Sequence, residues 1–197
     1  MKEEFFQISS SNERTAQETS TNWTPPSQES VKLNVDVAYC LENKVASLGM
    51  VVRNDTGTIC LWAIMKICNV ESPLHAELKA ITFGLEVTRD NSFLSILVES
   101  DSLLAIQEIL KHQRSFCQWE SIISDITDMS LEYGHCRFNH IRRYANEYAH
   151  NVAKLPCELG NYIVWRNTIP HSLCNSDIIT WRMKWSIFNR KKYIFTF

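Results

Sequence analysis

The order in which apolar periodicity changes along the chain is the feature that most constrains its fold. From Val31, the stretch VKLNVDVAY alternates apolar and other side chains with a period of two, which is typical of a β-strand. The β-rich runs ASLGMVVRN and TICLWAIMKI follow, separated by a short turn rich in Asn, Asp and Gly. Such a turn between two β-rich runs predicts a hairpin, so we expect the first three strands to be consecutive and antiparallel.

After Pro73 the period becomes helical, because Leu78, Ile81 and Leu85 recur at spacings of three and four along HAELKAITFGLEVTRD. The rest of the pattern predicts a strand in FLSILVESD, helices in SLLAIQEILK and from 119 to 129, a strand from 136 to 141, and a helix from 146 to 154 with Asn146 as its N-cap. The order β-β-β-α-β-α-α-β-α predicts an α/β fold. We expect a mixed five-stranded sheet, with three antiparallel strands followed by βα units, flanked by helices.

Composition divides the chain into three parts. Residues 1–30 are dominated by polar side chains and predict a disordered leader, and residues 31–160 form the predicted domain. Residues 161–197 are a basic, aromatic extension whose net charge is +5, against −3 for the leader. Since the whole chain carries −2, the middle carries −4. Such an extension suits stacking on bases and neutralising phosphates, a partner-binding segment, or a poorly ordered end.

Several protein classes are disfavoured by the sequence. No run approaches the roughly 20 apolar residues that cross a bilayer, and the acidic N-terminus lacks the apolar region of a signal peptide. The cysteines number seven and include no CxxC pair, which argues against a disulfide framework or a zinc ribbon. We therefore expect an intracellular protein of the nucleus or cytoplasm, not secreted, with no membrane partner, and a monomer.

Three carboxylates are the candidates for chemistry. Asp36 is a charge at the centre of an apolar strand, Glu77 lies near the start of the first long helix, and Asp101 follows the next strand. A right-handed crossover through that helix would place the two strands side by side, so the three acids can converge. Convergent hard oxygen donors suit Mg²⁺ or Mn²⁺, and pairs of such ions catalyse phosphodiester hydrolysis.

Each acid also has a purely structural explanation. Backbone amides can satisfy a carboxylate such as Asp36 in a strand, and Glu77 would be favourable near the positive end of its helix. Asp101 can serve as the N-cap of the helix that starts near Ser102. Only their combination on three neighbouring elements favours a metal site.

The segments KLNVDVA, LGMVVRNDTG, HAELKAITFGLE, VESDS and FNHIRRYANEYAHNVAK resemble the ribonuclease H fold. The similarity is specifically to the plant reverse-transcriptase-like domain related to the RNase H module of retroelements, and it spans about Val31 to Leu159. The resemblance implies that Asp36, Glu77 and Asp101 bind two Mg²⁺ ions, with Mn²⁺ as a substitute. It implies that the RNA strand of an RNA–DNA hybrid is cut.

The fourth catalytic position of the family corresponds to His150, where cellular type 1 enzymes carry Asp and many plant members carry His. A neutral imidazole removes one negative charge from the ion cage and is a softer ligand than Mg²⁺ prefers. Val37 stands where the family usually has Gly. Substrate contacts are expected from Asn34, on the strand face of Asp36, and from Arg143 and Asn146 near the cleft.

Three functions compete. The first is a metal-dependent endoribonuclease acting on RNA–DNA hybrids. The second is a retroelement-derived domain that binds hybrid or RNA weakly without cutting it, which His150, Val37 and the acidic middle of the chain would favour. The third is a 3'-5' exonuclease of related fold, but that class needs Glu two residues after the first Asp, and this chain has Ala38 there.

Overall fold

The computed structural model describes residues 23–111, 118–166 and 193–195. The strands are β1 (Val31–Cys40), β2 (Val45–Arg53), β3 (Ile59–Ile67), β4 (Ser95–Ser100), β5 (His135–His140), β6 (Tyr162–Arg166) and β7 (Tyr193–Phe195). The helices are α1 (Pro73–Asp90), α2 (Leu103–Leu110), α3 (Glu120–Ser130) and α4 (Glu147–Ala153), the last preceded by a short 3-10 helix (Arg143–Asn146). None of the helices in these ranges is long and apolar enough to cross a membrane.

The strands form one mixed sheet in the order β5-β4-β1-β2-β3-β6-β7. Strands β1, β2, β3 and β6 pair antiparallel in succession, whereas β4 runs parallel to β1 and β5 runs parallel to β4. The α/β class, the antiparallel start and the parallel second half are confirmed.

The predicted count of five strands is too low. Strand β6 begins beyond the expected domain end at residue 160 and extends the sheet next to β3. Its Trp165 stacks on Trp62 with ring centroids 3.6 Å apart, and both indoles are buried. Five residues without a clear alternation, followed by polar sequence, give a weak strand signal.

The two faces of the sheet carry different cores. On one face, α1 packs against β1 and β2 and helps to enclose the larger apolar cluster, which includes Leu33, Val35 and Ile81. On the other face, α4 packs against β1 and β2 over a smaller cluster that includes Val51 and Trp62. Because side chains alternate along β1, Asn34 and Asp36 lie on the α4 face.

Gly49 brings α4 close to the sheet. A Cβ atom at this position would lie 2.4 Å from the backbone nitrogen of Ala153 and 2.6 Å from the carbonyl oxygen of Ala149. Gly49 is also the register partner of Asp36 on the neighbouring strand. The absence of a side chain at Gly49 therefore lets α4 approach the strand position that bears the catalytic candidate.

The last residues of the predicted leader contact the domain. Residues 1–22 lie outside the described residues, but Trp23 contacts the domain, with the centroid of its ring 3.6 Å from Cζ of Arg53. The same ring lies 5.5 Å from Nζ of Lys32. Residues 167–192 of the predicted basic extension also lie outside the described residues.

Candidate metal centre and active site

Three carboxylates from separate elements meet in one group. Asp36 lies within β1, Glu77 on the second turn of α1, and Asp101 directly after β4. Each offers one carboxylate oxygen, and these oxygens all lie within 4.8 Å of one another. The predicted convergence is confirmed, and the described residues hold no other group of three potential metal-ligating side chains. We call Asp36, Glu77 and Asp101 the acidic group.

Local sequence explains how two of these acids are presented. Ser72 and Pro73 start α1, with the Ser72 hydroxyl accepting a hydrogen bond from the amide of His75 at 3.1 Å. At the end of β4, Ser102 is the N-cap of α2, and its hydroxyl accepts from the amide of Ala105 at 3.3 Å. The alternative that Asp101 caps this helix is therefore wrong, and its carboxylate is available to the acidic group.

The acidic group is electrostatically unfavourable by itself. The pKa of Glu77 is raised to about 8. Burial is the largest cause, and the neighbouring carboxylates of Asp36 and Asp101 add to it. Burial, then Asp101, also raises the pKa of Asp36, whose side chain is almost inaccessible to solvent. Without a compensating cation, this arrangement favours the protonated form of at least one carboxyl group.

The donor set fits a hard divalent cation. Among the described buried polar atoms, Oε2 of Glu77 has no hydrogen-bond partner. A buried acceptor without a donor is costly, whereas a cation beside it removes the cost. Carboxylate oxygens are the ligands that Mg²⁺ and Mn²⁺ prefer, so the residues present suit such an ion.

His150 lies beside the acidic group, as predicted. Its Nδ1 is 2.7 Å from Oδ2 of Asp36, and this hydrogen bond lowers the pKa of Asp36 against the effect of burial. Arg143 reaches the same imidazole, with Nη2 3.5 Å from Nδ1. The guanidinium is exposed, and its charge lowers the pKa of Glu77. The sequence-predicted neighbourhood of His150 and Arg143 is therefore present.

Asn146 has a different role from the predicted one. It occupies the N-cap position of α4, but its side chain makes no cap hydrogen bond. Instead, its Nδ2 donates to the backbone oxygen of Val35 at 2.8 Å and lies 3.4 Å from Oδ1 of Asp101. The side chain is fully buried, so in this conformation it ties α4 to β1 and to the acidic group rather than facing a substrate.

Asn34 also departs from its predicted role in substrate binding. Its side chain is fully buried, with Nδ2 donating to Oε2 of Glu99 at 2.9 Å and Oδ1 accepting from Nη2 of Arg53 at 2.7 Å. Both ends of the amide are used within the protein. The side chain of Asn34 is therefore engaged within the protein and not exposed to a substrate in this conformation.

Two partners of Asn34 were missed from the sequence. Glu99 is a charged residue in an otherwise apolar strand, the same signal that identified Asp36, and it could have been found in that way. Arg53 gives a weaker signal, because a cation at the end of a strand next to a turn is normally solvated. Val37, which stands where the family usually has Gly, packs against the larger apolar cluster.

Comparison with known proteins agrees with this geometry. Residues 34–155, more than half of the chain, match the family described as Reverse transcriptase-like. No curated protein sequence matches the chain.

Solved structures share the fold at low sequence identity. The N-terminal RNase H domain of a Mycobacterium tuberculosis protein is 16% identical, with a TM-score of 0.57 over 63% of this chain and 90% of that chain. RNase H1 from the halophilic archaeon Halobacterium salinarum is 20% identical, with a TM-score of 0.58 over 62% and 93%. LC11-RNase H1, isolated from compost and solved in complex with an RNA/DNA hybrid, is 17% identical, with a TM-score of 0.55 over 62% and 92%. With the family match and the acidic group, these similarities place the chain in the Reverse transcriptase-like family of ribonuclease H-like domains.

Proposed function

We propose that this protein is a divalent-metal-dependent endonuclease that hydrolyses the RNA strand of RNA–DNA hybrids. The observation that carries the proposal is the acidic group, in which three carboxylates from three elements bring their oxygens within 4.8 Å of one another. Packing alone would favour neutral side chains at these three positions. Three carboxylates that repel one another are therefore better explained by a bound cation that compensates their charge.

Asp36, Glu77 and Asp101 would hold Mg²⁺, with Mn²⁺ as a substitute. Ions of this kind lower the pKa of water and neutralise charge on a phosphate, which is what phosphodiester hydrolysis requires. The protein supplies the fixed oxygens for them, including the unpartnered Oε2 of Glu77.

The neighbouring residues orient the acids and face the substrate. His150 holds Oδ2 of Asp36 through Nδ1, and Asn146 lies between β1 and Asp101. Arg143 is exposed beside His150, so its guanidinium is free to meet a phosphate of the nucleic acid. In this proposal His150 and the three acids form the catalytic site, and Arg143 binds substrate.

The relatives support the substrate class. LC11-RNase H1 was solved with an RNA/DNA hybrid, and two further structures of the same fold are RNase H domains. A hybrid substrate implies a protein of the nucleus or cytoplasm, and one copy of the acidic group suffices for a monomer to act.

The proposal is tested with purified protein, a labelled RNA–DNA hybrid and either Mg²⁺ or Mn²⁺. We expect the wild-type protein to cut the RNA strand internally, and Asp36→Asn to lose at least a hundredfold in rate. Asp125→Asn, which changes an exposed acid on α3, is the matched control and should cut like the wild type. Absence of cutting by the wild type in both metals would reject the nuclease.

A second candidate is a retroelement-derived domain that binds nucleic acid without cutting it. The contact of 2.7 Å between His150 and Asp36 favours it, because the imidazole occupies a carboxylate oxygen that a cation would otherwise use. The same samples distinguish the two candidates. Binding of the hybrid without cleavage, equal in wild type and Asp36→Asn, would support the binding domain.

A further inference from the structure

The pairing of β1 with β4 ends just before the acidic group. The last register pair of these parallel strands joins Val35 to Ser100, and the next residues along the two strands are Asp36 and Asp101. After this point β4 gives way to α2 while β1 continues beside β2. Backbone pairing between β1 and β4 therefore stops one residue short of the two aspartates.

Side chains join the strands where the backbone pairing ends. Asn34 and Glu99, one register step before the last pair, are hydrogen-bonded at 2.9 Å. Lys32 adds an ion pair, with Nζ 2.7 Å from Oε1 of Glu99. Arg53 on β2 donates to Oδ1 of Asn34 and so sets the amide with Nδ2 toward Glu99. We call Lys32, Asn34, Arg53 and Glu99 the polar network.

The polar network is buried and mutually paired. Each of its four residues is at most 7% exposed, and together they join three adjacent strands, β1, β2 and β4. Asn34 lies two residues before Asp36 on β1, and Glu99 in β4 lies two residues before Asp101. A two-residue step along a strand is about 7 Å. A shift of Asn34 or Glu99 would therefore move the nearby aspartate through a short stretch of regular backbone.

Arg53 is itself held from outside the sheet. Its guanidinium lies 3.6 Å from the ring centroid of Trp23 and 5.0 Å from that of Tyr148 on α4. Burial lowers the pKa of Arg53 to about 10, so it remains a cation at neutral pH and keeps its attraction to both rings. Its Nε is buried without a partner, and the guanidinium is oriented by the stacked rings, by the bond to Asn34 and by the charge of Glu99.

We propose that Trp23 and Arg53 are positioning residues for the metal centre: by fixing Asn34 and Glu99, they set the separation of Asp36 and Asp101. The inference rests on the proposed function, because it concerns the affinity of the acidic group for its cation. Trp23 lies outside residues 34–155 that match the family, so this control is contributed by the segment that precedes the matched domain.

The test measures Mn²⁺ binding by titration calorimetry on the full chain, together with the melting temperature in metal-free buffer. Arg53→Lys keeps the charge but loses the planar stacked group, and we expect it to weaken Mn²⁺ binding about threefold to tenfold, at the low end of supporting-residue effects on metal sites. Trp23→Ala should weaken binding similarly, whereas Trp23→Phe, which keeps an aromatic face, should restore most of it. Arg89→Lys is the matched control, because Arg89 is an exposed cation paired with Glu132.

The outcomes separate this inference from the proposed function. Mn²⁺ binding by the wild type that Asp36→Asn abolishes supports the metal centre; weakened binding in Arg53→Lys and Trp23→Ala then supports the positioning role. A lower melting temperature with unchanged Mn²⁺ affinity in both variants would overturn the positioning role and leave the metal centre intact. No binding by the wild type would overturn both.

Discussion

Two polar clusters lie next to each other where the pairing of β1 with β4 ends, and they treat charge in opposite ways. The polar network pairs each charge with an opposite charge or an amide, as in the contacts of Glu99 with Lys32 and Asn34. The acidic group places three carboxylates together, and burial with mutual repulsion raises the pKa of Glu77 to about 8. The two clusters meet along the chain, because Asn34 precedes Asp36 by two residues on β1 and Glu99 in β4 precedes Asp101 by two residues.

The difference indicates that the polar network stabilises the fold, whereas the acidic group serves to bind a cation. A paired cluster is complete within the protein, so removing a member leaves its partners buried without compensation. In the acidic group the carboxylates still repel one another despite the contact of Asp36 with His150, so removing one carboxylate relieves that repulsion. Replacing an acid should lower the stability in the polar network and raise it in the acidic group. Equal effects in the two clusters would contradict this distinction.

The largest effect is expected in the polar network. Glu99→Ala leaves the Lys32 ammonium and the Asn34 amide buried without their acceptor, and we expect a loss of about 3–5 kcal/mol in the free energy of unfolding. Urea unfolding in metal-free buffer measures it. Glu132→Ala, which removes an exposed partner of Arg89, should cost less than about 1 kcal/mol. Similar losses in both variants would show that the polar network is not a paired unit.

A second prediction concerns the packing that both clusters share. Gly49→Ala places a methyl group against backbone atoms of α4, which cannot rotate away as a side chain can. We expect a loss of about 1–3 kcal/mol in the free energy of unfolding, as for overpacking elsewhere. Proton chemical shifts of His150 should also move, because α4 would be displaced from Asp36.

Gly134→Ala is the matched control for this packing effect. A Cβ atom at Gly134 would lie 3.4 Å from the backbone oxygen of Leu94, which is close to ordinary contact. We expect little change in its melting temperature and no change in the His150 shifts. Equal destabilisation by the two substitutions would mean that the approach of α4 at Gly49 is not special.

Much of the fold could be predicted from the sequence because its signals are local. Alternation gave β1, the change of period after Pro73 gave α1, and the order of elements gave the mixed sheet. Strand β6 could not be predicted in this way, because five residues supply too little pattern and its stability depends on Trp165 meeting Trp62 from a distant strand. Pairing between distant segments has no local signature.

The candidate site could also be predicted only where the signal is local in the sequence. Asp36, Glu77 and Asp101 stand out as charges at apolar or helix-start positions, and the crossover rule brings them together. Asn34 and Asn146 lie in the predicted region, but both are buried and hydrogen-bonded within the protein, because the packing that decides where an amide points has no local signal in the sequence. The contact of Trp23 with Arg53 could not be predicted, because it joins segments that are distant in the chain. Trp23 therefore falls within the predicted leader.

A third prediction concerns Glu77, whose replacement should raise the free energy of unfolding, whereas Glu99→Ala lowers it. In metal-free buffer, Glu77 has a pKa of about 8 in the folded protein against an ordinary 4.5, so the folded state retains a proton that the unfolded state has lost. This contribution to stability is complete below about pH 4.5 and is lost as the pH rises toward about 8. Glu77→Gln should remove that dependence and, at pH 8, raise the free energy of unfolding by about 1–2 kcal/mol.

Melting temperatures of both proteins between pH 5 and 8, with a chelator, measure this effect. Adding Mg²⁺ should stabilise the wild type but not Glu77→Gln, because a ligand stabilises the state that binds it. A wild-type profile that is flat across this range, or a variant less stable than the wild type at pH 8, would show that Glu77 is satisfied without a cation.

The smallest effect is expected at His150, where the two ways of treating charge meet. Its imidazole gives Asp36 a partner within the protein and so makes the acidic group partly self-sufficient. His150→Asp removes that partner and adds a fourth carboxylate, so we expect metal-free stability to fall by about 1 kcal/mol while Mn²⁺ affinity rises severalfold. Thermal unfolding and titration calorimetry measure the two changes, and His150→Asn separates loss of the imidazole from gain of charge. If His150→Asp binds Mn²⁺ no better than His150→Asn, added charge is not what limits the affinity. If His150→Asn binds no better than the wild type, the imidazole does not compete with the cation for Asp36.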